Sequence, residues 1–82
     1  MNTGSRVHAN YLRDLGCILK EIAVEAKRAR DSATGAEDRA YATGRLMALH
    51  DAVSLMQEQA TSFGIQQEEL CLGDIDPERD LV

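Results

Sequence analysis

The side chains equipped for chemistry are few, and their spacing constrains them further. His50 and Asp51 form the one adjacent His–carboxylate pair, and His8 is the only other imidazole. A general base needs its carboxylate partner within hydrogen-bond reach. Neighbours on a helix point about 100° apart, so adjacency alone predicts no dyad at His50 and Asp51. His50 reads as a structural or exposed histidine, and an enzyme using His50 with carboxylates of the tail is the third of three functional readings. Cys17 and Cys71 lie far apart with no CxxC spacing. They read as two reduced thiols of a cytoplasmic protein; a bridge between them would staple the tail to the first helix, but nothing in the sequence requires it.

Metal and cofactor chemistry finds no support in the motifs. A di-iron bundle needs ExxH pairs, and no Glu stands three residues before His50. Asp74-Ile75-Asp76 alternates acids as a calcium loop does, without the loop's sixth-position Gly and closing Glu. No GxSxG, P-loop or GxGxxG motif occurs. These readings name no catalytic, metal-binding or cofactor-binding residue.

Charge is distributed unevenly along the 82 residues, whose net charge is -5. Residues 1–65 hold eight acids and eight bases, while residues 66–82 set Glu68, Glu69, Asp74, Asp76, Glu78 and Asp80 against Arg79 alone. An acidic balance argues against phosphate neutralisation, so nucleic acid is not an expected partner, nor is an anionic membrane surface. Glu68, Glu69, Asp74 and Asp76 are the candidate residues of a partner-binding tail. Lys27, Arg28, Arg30, Arg39 and Arg45 gather near the expected hairpin turn. Pairing of that basic end with the acidic tail, of the same chain or a dimer mate, is preferred over binding of a separate anion.

Helices must position all of these groups. From Ala42 the apolar residues Leu46, Leu49, Val53, Met56, Ala60 and Phe63 follow at alternating steps of four and three. That is a helical seam three heptads long. Tyr11, Leu15, Ile18, Ile22, Ala26, Ala29 and Ala33 mark one face of an earlier helix starting between Val7 and Asn10, with Asn10 a candidate N-cap. Thr34-Gly35-Ala36-Glu37 has the form of a capping box for the second helix. Gly64 after Phe63 reads as a C′ glycine with Ile65 as its hydrophobic contact. Asp76-Pro77 has the form of an N-cap followed by Pro at N1. The short break between the helices predicts an antiparallel αα-hairpin.

The fold class is therefore all-α: two long antiparallel helices with a short C-terminal helical turn or tail. The expected divisions are a disordered N-terminus at 1–7, the hairpin at 8–65 and an acidic segment at 66–82. Helices of about 25 residues, each some 38 Å long, carry second apolar edges that a lone hairpin leaves wet. Leu12, Leu19 and Ala23 form that edge on the first helix, Met47 and Leu55 on the second. A row of small residues, Ala36, Ala40, Gly44, Ala48 and Ala52, invites close approach of another backbone, because Gly44 costs about 1 kcal/mol relative to Ala in mid-helix. The expected interface of a four-helix homodimer is thus Leu12, Leu19, Ala40, Gly44, Met47, Ala48, Ala52 and Leu55.

The run from Tyr41 to Met56, with Phe63-Gly64-Ile65 and Leu72-Gly73-Asp74-Ile75-Asp76-Pro77 beyond it, resembles small bacterial helical-hairpin proteins. The likeness covers about half the chain and implies no catalytic or ligand residue. Size and acidity are also similar to those of bacterial immunity proteins, which bind and block a toxin. The expected function is a non-enzymatic interaction or adaptor module working as a homodimer, with an unidentified protein partner. The second reading is an immunity or antitoxin protein. A cytoplasmic location is expected, since no signal-peptide pattern follows Met1 and no apolar run approaches the length of a membrane span.

Overall fold

The structure, a computed structural model, describes residues 3–82, with side chains from residue 6 onward. Helix α1 spans Thr3–Ser32 and α2 spans Ala36–Ser62; a 3₁₀ turn follows at Gln67–Leu70, and a one-turn helix α3 at Pro77–Asp80. No strand occurs among the described residues. The all-α hairpin expected from periodicity is therefore present, 55 Å long and about 20 Å by 16 Å in section. The start of α1 is a correction. The helix already contains residues 3–7, and Asn10 lies inside it rather than at its cap. Met1 and Asn2, the rest of the segment read as disordered, lie outside the described residues.

The chain reverses over residues 33–35. Because α1 runs on to Ser32, the turn closes through Gly35 at φ +87°, a conformation that costs glycine alone nothing. Gly35 becomes the N-cap of α2, and its carbonyl accepts from Arg39 N–H at 3.1 Å. The Thr34 capping box therefore does not form, because the helix starts one residue later than that box requires. Glu37 and Asp38 still occupy the first turn of α2, where the helix dipole favours them. The other end matches the expectation: Gly64 takes φ +70°, Ile65 N–H donates to the Ala60 carbonyl at 2.8 Å, and Gly64 N–H donates to Thr61 at 3.1 Å. That pair of bonds is a Schellman motif.

Residues 66–82 then fold back along the hairpin as a strap. Leu70, Leu72, Ile75 and Leu81 of the strap are buried with Ala23 and Ala26 of α1 and Leu46, Val53 and Ala60 of α2. These apolar residues complete the core of the hairpin, so the acidic segment 66–82 is a packed part of the fold. On α2 the seam packs as its spacing predicts through Ala42, Leu46, Leu49, Val53, Met56 and Ala60, whereas Phe63 at its end is 76% exposed.

On α1 most of the expected face is turned outward. Tyr11, Leu15, Ile18, Ile22 and Ala29 are exposed and Ala33 is half-buried; of that face only Ala26 is buried, together with Gly16 and with Ala23, which the sequence placed on the wet second edge. Gly16 supplies the physical reason. A Cβ built there would lie 1.8 Å from the Leu70 carbonyl oxygen, so the strap backbone rests directly on the helix. The helix must turn its smallest residues toward that contact, which rotates its bulkier aliphatic stripe away. Within the chain a backbone approaches closely at Gly16, whereas a Cβ at Gly44 would meet nothing within 4 Å and that position stays open on the surface.

These two glycines should respond oppositely to the same change. Gly16→Ala should destabilise the fold by about 1–3 kcal/mol or more, because backbone rather than a flexible side chain must yield. Gly44→Ala should be neutral or stabilise by up to about 1 kcal/mol, from helix propensity alone. Chemical denaturation of both variants checks this pair.

Candidate functional site

The strap is fastened by one covalent bond and a series of polar ones. Cys17 of α1 and Cys71 at the end of the 3₁₀ turn form a disulfide with Cα atoms 5.1 Å apart across a sequence separation of 54. The reading of two reduced thiols is corrected, since the Gly16–Leu70 contact brings the next residue of each segment into bonding range. Further along, Gln57 donates its Nε2 to the carbonyls of Leu72 (3.2 Å) and Ile75 (2.9 Å). Gln67 donates its Nε2 back to the Gln57 carbonyl at 2.9 Å and to Thr61 Oγ1 at 3.2 Å. Neither glutamine stood out in the sequence; a polar residue on the strap side of a seam became meaningful only once the strap was placed. Lys20 Nζ meets Asp74 Oδ1 at 2.9 Å, and Lys27 and Arg30 both donate to the main-chain oxygen of Val82. Of the basic residues expected to meet the acidic tail, Lys27 and Arg30 reach the chain's own tail at the Val82 main-chain oxygen, and the ion pair with a tail acid is made by Lys20, outside that group.

Three of the four acids proposed for a partner-binding tail accept hydrogen bonds within the chain. Glu69 Oε2 accepts from Gln66 N–H at 2.8 Å, Asp76 Oδ1 from Glu78 N–H at 3.0 Å, and Asp74 from Lys20. Asp76 is the N-cap and Pro77 the N1 residue of α3, as their spacing predicts. Glu68 is exposed, and its side chain lies beside Gly73. Asp80, outside that set, is held down to about pKa 2 by the Arg79 side chain and by the Asp76 backbone N–H. Asp74 is lowered by its hydrogen bond and charge pairing with Lys20, and Asp31 by its hydrogen bond with Arg30, with the charge and hydrogen bond of Lys27 adding to it.

His50 sits against two carboxylates. Its Nδ1 is 3.3 Å from Asp51 Oδ1 and its Nε2 is 3.2 Å from Glu78 Oε1. The expectation that His50 and Asp51 cannot meet is corrected, because the carboxylate swings back along the helix surface to the ring. Glu78 belongs to α3, so the imidazole links α2 to the strap. Arg30, Thr43, Met47 and Leu81 line the same open groove. Among the described residues, no group of three or more His, Cys, Asp or Glu is arranged to hold a metal ion.

The far side of the hairpin carries the other candidate surface. At 100° per residue, Tyr11, Leu15, Ile18 and Ile22 lie about 150° round α1 from Gly16, Lys20 and Lys27, which face the strap. Tyr11 is 65% and Ile18 46% exposed. On α2, Ala52, Met56 and Phe63 lie about 130° from His50 and Gln57, again away from the strap. Of the interface residues expected from sequence, Leu19 packs against the core and Ala52 is half-buried. Leu12, Ala40, Gly44, Met47, Ala48 and Leu55 are exposed, with Met47 at 63% and Leu55 at 57%. Ala36, Ala40, Gly44 and Met47 line a shallow groove on the outer face of α2. Among the described residues, no helix is long and apolar enough to cross a membrane.

Comparison of the chain with protein-family models, with curated proteins and with solved structures returns no match.

The strap acids set an acid limit on stability. A carboxyl whose folded pKa lies below its ordinary 3.8 contributes fully above that value. The contribution is lost as pH falls through the folded-state value, about 2 for Asp80. Amide signals of α3 should therefore change cooperatively between about pH 4 and 2. Asp80→Asn should remove most of that step in an NMR pH titration.

Proposed function

We propose that the chain is a non-enzymatic protein–protein interaction module that works as a homodimeric helical bundle. Two hairpins pair through the apolar face that the strap leaves uncovered. The carrying observation is the exposed run Tyr11, Leu15, Ile18 and Ile22, spaced four, three and four along a 30-residue helix. That spacing matches a second helix laid along the first. Leu12 meets the face where it lines a groove with Met56 and Phe63, and Phe63 extends it at one end. Together these side chains offer several hundred Å² of apolar surface per protomer, on the scale of the roughly 800 Å² each partner of a standard interface buries. Contiguous patches of this size on small proteins mark association sites.

Relative to the residues named from sequence, this face keeps Leu12 and Ala52 and adds the stripe of α1, while Leu55 lies on the side of Gly44. Gly44, Ala40 and Met47 belong to the outer groove of α2, which is the competing surface. The immunity or antitoxin reading rested on a free acidic tail; engagement of Glu69, Asp74 and Asp76 within the chain withdraws much of that support. The reading of an enzyme using His50 gains two carboxylate neighbours, and a link between α2 and α3 accounts for the same contacts. A cytoplasmic location loses the argument from reduced thiols. Disulfides persist in oxidising compartments, and in reducing ones they form as responsive bonds.

Sedimentation or light scattering should give about twice the 9.0 kDa chain mass at micromolar concentration. The double variant Ile18→Glu/Ile22→Glu should return the mass to that of one chain with helical circular dichroism retained. Gly44→Leu should leave the dimer intact. A monomeric parent protein contradicts the proposal, and loss of the dimer in Gly44→Leu alone moves the interface to the outer groove.

A further inference from the structure

We propose that the Cys17–Cys71 disulfide is a redox latch: its reduction lets the strap of residues 66–82 lift from the hairpin and bare the apolar groove between α1 and α2. The bond joins the middle of α1 to the strap at the point where Leu70 rests on Gly16. The polar fastenings are of a kind that opens readily, so that without the bond the strap is held by the burial of Leu70, Leu72, Ile75 and Leu81. Lys20–Asp74 is an ion pair whose carboxylate is 76% exposed, and such surface pairs add little. The clasp at Gln67 is incomplete, because its Oε1 is buried without a hydrogen-bond partner. Cys71 itself takes φ +62°, the left-handed region that β-carbon residues enter at a cost. It closes the 3₁₀ turn there as its C-cap.

Beneath the strap the floor consists of Ala23 and Ala26 of α1 with Leu46 and Val53 of α2, all fully or almost fully buried when the strap is down. Lifting the strap would open an apolar trough along the hairpin on the side opposite the face proposed for dimerisation. The chemistry balances simply. A dithiol reductant supplies two electrons and two protons, the S–S bond breaks, Cys17 and Cys71 become thiols, and the reductant closes its own disulfide. Both cysteines are half-buried, not enclosed. The proposal stands on the strap side and does not depend on dimerisation.

Hydrogen exchange on the full chain, followed by mass spectrometry with and without dithiothreitol, tests it. Expected on reduction is a loss of protection of about 100-fold or more in peptides covering 66–82, whose amides at Leu72 and Leu81 are hydrogen-bonded in the closed state. The seam of α2 around Leu46 and Val53 should change by less than about threefold, and reoxidation should restore the strap. The double variant Cys17→Ser/Cys71→Ser should match the reduced protein and be indifferent to dithiothreitol. Two results would overturn the latch. One is unchanged protection of the strap after complete reduction. The other is equal loss along strap and seam, which would make the bridge a staple of the whole fold.

Discussion

A peptide carbonyl pressed onto a glycine in the middle of a long helix organises this molecule. Leu70 can rest on α1 only because residue 16 has no side chain. From that contact follow the disulfide one residue further along each segment and the seating of Leu72, Ile75 and Leu81 in the core. The rotation of α1 follows as well: once the strap claims the side of Gly16, Lys20 and Lys27, the helix must show Tyr11, Leu15, Ile18 and Ile22 to the outside. The uncovered face on one side of the hairpin and the covered groove on the other share this single origin.

The magnitudes rank the fastenings. A fully buried Leu or Ile contributes about 1.5–3 kcal/mol, and the strap seats four such side chains. Exposed ion pairs such as Lys20–Asp74 contribute about 0–1 kcal/mol. A bridge closing a loop of 54 residues stabilises by roughly 4 kcal/mol in the chain-entropy account. Burial therefore seats the strap and the covalent bond keeps it seated, while the charged contacts choose its path along α1. The acids that looked like a binding surface serve mainly as caps and local partners in that path.

The parts of this fold governed by local rules were legible in the sequence. The Schellman closure at Gly64 and the Asp76-Pro77 start of α3 depend on residues within one or two turns and formed as those residues predict, and the periodic seam of α2 packs as far as Ala60, with Phe63 left exposed at its end. What could not be read was set by contacts distant in sequence. Tyr11, Leu15, Ile18 and Ile22 have the spacing of a buried face, and only the arrival of residues 66–82 on the other side decides that they stay outside. Gly44 drew attention for sitting in a row of small residues; Gly16 had the same chemistry, and its significance lay 54 residues away at Leu70. The Thr34 cap failed by a single residue because α1 extends to Ser32, a boundary that propensity does not set to that accuracy. His50 and Asp51 met through side-chain swing, a freedom that backbone spacing does not report.

The closed bond between Cys17 and Cys71 also makes most of the chain a macrocycle. The reversal at Gly35 and the close of α2 at Gly64 both lie inside that ring, while the part of α1 before Cys17 and residues 72–82 lie outside it. A single scission anywhere in the ring opens the circle without parting the molecule, so a nick at the hairpin tip would leave two pieces still joined through sulfur.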